Sequence, residues 1–168
     1  MMNEDQYKGK AQRIRLLLTD VDGVLTDTGV YYGADGEVMK RFSIRDGMGV
    51  ERLRKLCGID TGIVTGELSP SVARRAEKLS ITHVYLGVKD KLDRLTGIMA
   101  KSGLTWEQIA FIGDDVNDLE VLERVGLSAC PADAMAAVTG AVHYRSRMNG
   151  GHGAFRDFAE WIIQLLKP

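Results

Sequence analysis

Apolar residues arrive along this chain in two rhythms. Short unbroken runs alternate with longer stretches in which every third or fourth residue is apolar, so buried strands and amphipathic helices are predicted in turn. Residues 14–20, IRLLLTD, read as a first buried strand closed by Gly23. Residues 29–43 hold two extended runs around GADGE and read as a β-hairpin. Over 45–58, Val50, Leu53 and Leu56 fall near helical spacing and Gly58 ends the helix. A second buried strand is predicted over 60–67 and a third over 83–87. The helix between them opens with Ser69 as N-cap and Pro70 in the first turn. A helix over 89–103 ends at Gly103, and a capped turn leads into a fourth strand, 109–112. Beyond it come a helix (116–126), a fifth strand (127–131), a short helix (133–140), a sixth strand (141–146) and a closing helix (153–167). Strands alternating with helices predict an α/β fold with a parallel sheet covered on both faces.

Composition narrows the picture only modestly. The 168 residues suit one domain, with 45% hydrophobic and 27% charged residues. The net charge of -1 argues against a basic face for nucleic acid. Cys57 and Cys130 lie far apart in apolar surroundings and read as free thiols of a reducing compartment. No apolar run approaches the roughly 20 residues that cross a bilayer, so no membrane partner is expected. Residues 1–13 are polar, lack a leader's apolar segment, and are expected to be a flexible tail; the location expected is cytoplasmic.

The chemistry lies at the strand ends. In LLLTDVDGVLTD, residues 16–27, Asp20 and Asp22 follow an apolar run directly. Thr65 and Gly66 end the second strand, Lys91 opens the helix after the third, and Asp114, Asp115 and Asp118 follow the fourth. In a parallel sheet the loops after the strands share one crevice. Carboxylates crowded there repel each other unless a cation lies between them. Oxygen donors without His or Cys select a hard ion, and Mg2+ is the usual choice. Such an ion, with Lys91 and the Thr65 hydroxyl, suits a phosphate ester. One carboxylate can attack phosphorus while another exchanges protons with the leaving oxygen and water.

DVDGVLTD, VTGE, Lys91 in KDKL and GDDVND resemble, in order, the four motifs of the haloacid dehalogenase superfamily. The resemblance implies a Rossmann-like three-layer α/β/α fold with a mostly parallel sheet. It makes Asp20 the nucleophile and Asp22 the general acid/base. Thr65 and Lys91 become holders of the phosphoryl group. Asp20, Asp114 and the Asp22 carbonyl become the Mg2+ ligands. Asp115 is expected to orient Lys91 or the metal's waters, with Asp118 behind it.

Many superfamily members carry a cap domain. From Asp20 to Thr65 is 45 positions and from Thr65 to Lys91 is 26, which the predicted elements already fill, so no cap is expected. The hairpin 29–43 carries Val30, Tyr31, Tyr32, Val38, Met39 and Phe42, too apolar to stand alone. The glycine-rich segment 147–157, with His152 and Arg156, could reach a neighbour's crevice. SIRDGMGV and this segment resemble the capless subfamily that acts on keto-deoxy sugar acid phosphates. That resemblance implies a homotetramer built through the hairpins and a role in lipopolysaccharide precursor synthesis. It also implies an eight-carbon substrate, 3-deoxy-D-manno-octulosonate 8-phosphate, ahead of nine-carbon sialate-type 9-phosphates. Arg45, Arg75, Lys78 and Glu67 are the candidate contacts to the sugar acid. A protein or nucleotide phosphatase and a phosphoacceptor switch are the competing readings, since an open site and an aspartate with Thr and Lys would serve either.

Overall fold

The computed structural model describes residues 4–167. Six parallel strands form the central sheet. They are β1 (Leu16–Thr19), β4 (Asp60–Val64), β5 (His83–Tyr85), β6 (Ile109–Ile112), β7 (Leu127–Cys130) and β8 (Tyr144–Arg145). Their order is β5-β4-β1-β6-β7-β8, with β1 between β4 and β6. The chain fills one side of β1 first and then crosses to the other. A crevice therefore opens at the C-terminal end of β1, where the winding reverses.

Side chains along β1 alternate between two cores. Leu17 packs with Ile63, Ala110 and Phe158 on one face, and Leu16 and Leu18 pack with Val64, Phe111 and Leu95 on the other. The first face is covered by α2 (Ile44–Cys57), α3 (Pro70–Lys78) and α7 (Ala154–Leu166). The second is covered by α4 (Lys91–Ser102), α5 (Leu119–Leu122) and α6 (Ala136–Thr139). The caps are those the sequence predicts. Ser69 accepts from Val72 N, and Gly58 and Gly103 close α2 and α4 in the left-handed conformation.

The expected hairpin is β2 (Val30–Gly33) paired antiparallel with β3 (Gly36–Lys40), forming a separate two-stranded sheet. Between Asp20 and Thr65 lie only this hairpin, α2 and β4, and between Thr65 and Lys91 only α3 and β5.

Two expectations need correction. Residues 4–11 of the supposed tail form helix α1 (Glu4–Ala11), while residues 1–3 fall outside the described part. Acidic residues begin α1 and lysines end it, which suits the helix dipole. Tyr7 meets Trp161 edge-on at 5.2 Å, and Lys10 donates to the Gly126 carbonyl. The single helix expected over 116–126 is instead a tight 3-10 turn, 116–118, followed by the one-turn α5. That turn faces Asp118 inward rather than outward along a helix. The glycine segment 147–157 packs on its own domain. Gly151 N donates to Val24 O at 2.9 Å, and Gly150 presses so closely on Gly23 that a Cβ would sit 1.9 Å from its carbonyl oxygen.

Candidate active site

Asp20 follows β1 directly, and its backbone N–H still pairs with Ile112 O of β6. Its side chain points into the crevice floor. One oxygen accepts from Val21 N at 2.7 Å and the other lies 3.0 Å from Lys91 Nζ. Lys91, at the first turn of α4, is buried and also meets Asp118 at 2.5 Å. Asp118 is buried as well, and its second oxygen accepts from Asp114 N. Thr65 is buried at the end of β4, where its hydroxyl accepts from Glu67 N. Gly66, Glu67, Asp114 and Asp115 complete the crevice with Asp20, Asp22 and Thr65.

Three carboxylates share a single ammonium here, and their proton affinities reflect it. Burial, reinforced by the charge of Asp118, pushes Asp20 up to about 7. Burial, then the charges of Asp20 and Asp118, brings Asp114 to about 7. Burial also raises Asp118. Burial opposes the charge on Lys91, but Asp20 and Asp118 hold its affinity above the ordinary lysine range. The cluster is short of positive charge, and oxygens of Asp20, Asp114 and Asp118 lie within 4.8 Å of one another. Asp118 is buried behind the crevice with both oxygens engaged, whereas Asp20 and Asp114 line it. A hard divalent cation would fit this oxygen-only donor set, with Asp20 and Asp114 as the carboxylates open to it.

The structure departs from expectation at several residues. Asp118, not Asp115, holds Lys91; Asp115 is exposed and caps Val116 N at 2.6 Å. Arg45, Arg75 and Lys78 do not line the crevice of this chain. Arg75 is spent on the hairpin root, where it donates to Ser43 O at 2.7 Å and lies over the Phe42 ring. Arg45 and Lys78 are exposed on their helices. Asp27 turns outward to pair with Arg41. Sequence reasoning missed Lys40, whose Nζ lies 2.7 Å from both oxygens of Asp22. A lone lysine in a hairpin strand carries no signal of such a contact.

The class follows from comparison as well as geometry. Residues 31–126 match the family model of the haloacid dehalogenase-like hydrolases, and the chain belongs to that family. Among its relatives is the 3-deoxy-D-manno-octulosonate 8-phosphate phosphatase KdsC of Yersinia pestis, 42% identical over 95% of this chain and 84% of the relative. The crystal structure of 3-deoxy-D-manno-octulosonate 8-phosphate phosphatase from Moraxella catarrhalis, in complex with magnesium, phosphate and KDO, superposes with a TM-score of 0.91. It is 34% identical, covering 97% of this chain and 93% of that one. The cobalt-bound form of the deoxy-D-mannose-octulosonate 8-phosphate phosphatase of Haemophilus influenzae gives 0.89 at 39% identity, covering 94% and 91%.

Proposed function

We propose that this protein is a Mg2+-dependent phosphatase of keto-deoxy sugar acid phosphates, acting on 3-deoxy-D-manno-octulosonate 8-phosphate in preference to nine-carbon 9-phosphates. In that role it would feed lipopolysaccharide precursor synthesis. The observation that carries the reading is the Asp20 carboxylate. It is clamped by Val21 N and Lys91 at the floor of an open crevice, with Asp22 two residues further on at its wall.

Asp20 attacks phosphorus, and the sugar-oxygen-to-phosphorus bond breaks as the aspartyl-phosphate bond forms. Asp22 gives its proton to the departing sugar oxygen. Water then attacks phosphorus, the bond from phosphorus to the Asp20 oxygen breaks to release phosphate and the free carboxylate, and the water's proton returns to Asp22. Lys91, the Thr65 hydroxyl and the Gly66 amide hold the phosphoryl oxygens as charge spreads over them. Mg2+, held by Asp20, Asp114 and the Asp22 carbonyl, would neutralise phosphate charge and orient the ester. Glu67 stands at the crevice rim, where the sugar acid's hydroxyls would arrive.

The hairpin's uncovered apolar side chains support a homotetramer as part of this reading: Tyr31, Tyr32, Val38 and Met39 are all exposed, Tyr32 by 72%. Arg45 and Lys78 would then serve a crevice only across a subunit boundary. The two cysteines are free, which suits a cytoplasmic enzyme. Among the described residues no helix is long and apolar enough to cross a membrane.

The test is phosphate release from eight- and nine-carbon keto-acid phosphates side by side, with and without a chelator. The eight-carbon ester is expected to lead, and chelation to stop both. Asp20→Asn is expected to abolish turnover while circular dichroism stays native. Wild-type turnover in a pure preparation of that variant would remove Asp20 as nucleophile.

A further inference from the structure

Lys40 is the last residue of β3, and its side chain is only 1% exposed. Val38 and Met39, on opposite faces of the same strand, are both exposed, so strand alternation alone does not explain its burial. Taking an ammonium out of water costs several kcal/mol unless a counter-charge meets it. The counter-charge here is Asp22: Lys40 Nζ lies 2.7 Å from both its oxygens and 3.8 Å from Glu37 Oε2. Glu37 in turn accepts from Ser69 Oγ, and Ser69 also caps α3. A continuous polar chain thus runs from the start of α3, through the hairpin, to Asp22.

Asp22 has little else to fix it. It sits on the loop after β1 and is partly exposed, and its other contact is the Thr26 hydroxyl at 3.3 Å. A carboxylate that must meet first a leaving oxygen and then a water has to be held to a fraction of an ångström. Lys40 does not line the crevice itself; its contact there is with Asp22, which does.

We propose that Lys40 is a positioning residue for the reaction: its ammonium, 2.7 Å from both oxygens of Asp22, fixes where that carboxylate stands on the loop and so aims it at the leaving oxygen and the attacking water. This rests on the reading of Asp22 as general acid/base. The protruding hairpin thereby holds up one half of the proton-transfer apparatus, in addition to presenting an apolar face to a neighbour.

A double-mutant cycle tests the proposal, with Lys40→Met, Lys40→Arg, Asp22→Asn and the Lys40→Met/Asp22→Asn pair. The probes are 3-deoxy-D-manno-octulosonate 8-phosphate and p-nitrophenyl phosphate, both with Mg2+. Lys40→Met is expected to lower kcat on the sugar ester about 10- to 100-fold, a part of what acid/base catalysis supplies, with KM moving less than about threefold. Lys40→Arg should recover most of that loss. The first-turnover release of p-nitrophenolate, which leaves without a donated proton, should fall only a few-fold. Added to Asp22→Asn, Lys40→Met should change turnover by less than about twofold, because its effect passes through a group already removed. Losses that multiply in the pair, an equal loss in first-turnover p-nitrophenolate, or an unchanged kcat in Lys40→Met would each overturn the role. If Lys40→Met does not fold, Lys40→Gln is read in the same cycle. Wild-type turnover in Asp22→Asn would instead overturn the acid/base reading itself, leaving the two failures distinguishable.

Discussion

Lys91 shows how far one residue's environment can change its work. In isolation it is an ordinary first-turn helix lysine. Folded, it is buried between Asp20 and Asp118 and sets its ammonium against both carboxylates at the crevice floor. Asp118 is its structural guarantor, since its other oxygen also fixes Asp114 N. Removing one partner of a buried, hydrogen-bonded pair strands the other charge. Asp118→Ala is therefore expected to cost about 3 kcal/mol of stability, and kcat/KM should fall because both Lys91 and Asp114 lose their support. Urea midpoints and steady-state kinetics check the two effects together. The carboxylates near this site also differ among themselves. Asp27 belongs to the same sequence cluster as Asp20, yet the hydrogen bond from Arg41 holds its affinity below the usual range at the surface.

At the scale of elements, the loop after β1 is held from two sides. The hairpin reaches it through Lys40, and the glycine turn before α7 closes over it from below. Gly150 is where the backbones meet, and its N–H also donates to Asp133. A methyl group there would collide with the Gly23 carbonyl, which no rotamer change relieves. Gly150→Ala is expected to destabilise the fold by roughly 2 kcal/mol and to lower turnover several-fold, since Gly23 adjoins Asp22 and packs on Asp114. An unchanged melting temperature with unchanged kcat would contradict this coupling. The alternation of apolar and polar positions was enough to place all six sheet strands and the hairpin. It failed at 116–126, where apolar residues at helical spacing suggested one helix. There the pull of Lys91 and Asp114 N on the Asp118 side chain favours a tight turn, an interaction invisible to local periodicity.

For the whole molecule, the concentration of acid in one crevice makes stability depend on pH and on cation. Without a cation, Asp20 and Asp114 titrate near 7, and Asp46, buried by α7 against Arg156 N, near 6. Each is raised above its unfolded value. The folded state thus binds protons more tightly, and the stability these groups contribute is present below about pH 4 and lost as pH rises through 6 to 7. Glu160, lowered by its hydrogen bond from Arg52, acts in the opposite sense and loses its contribution as pH falls through the acid range. Cation-free protein is expected to melt at a higher temperature at pH 5.5 than at pH 8. Millimolar Mg2+ should reverse that order by stabilising the ionised cluster at pH 8. Asp46→Asn should flatten part of the cation-free slope while keeping the Mg2+ response, because Asp46 lies outside the crevice. Melting curves at the two pH values, with Mg2+ or a chelator, separate these contributions.

Some of this protein was written in local order. Strand and helix rhythm set the parallel α/β architecture. The positions of Asp20, Thr65, Lys91 and Asp114 just past strands or at a helix start marked one crevice, because a parallel sheet sends all such loops to the same end. The spacing between them left no length for a cap inserted from Asp20 to Thr65 or from Thr65 to Lys91. What depended on contacts between distant residues could be decided only in three dimensions. Asp118 rather than Asp115 holds Lys91, Arg75 serves the hairpin root, the glycine turn docks on Gly23, and Lys40 meets Asp22. Each of these pairs residues through side-chain direction and burial, and neither quantity is encoded in the spacing of residue types along a chain.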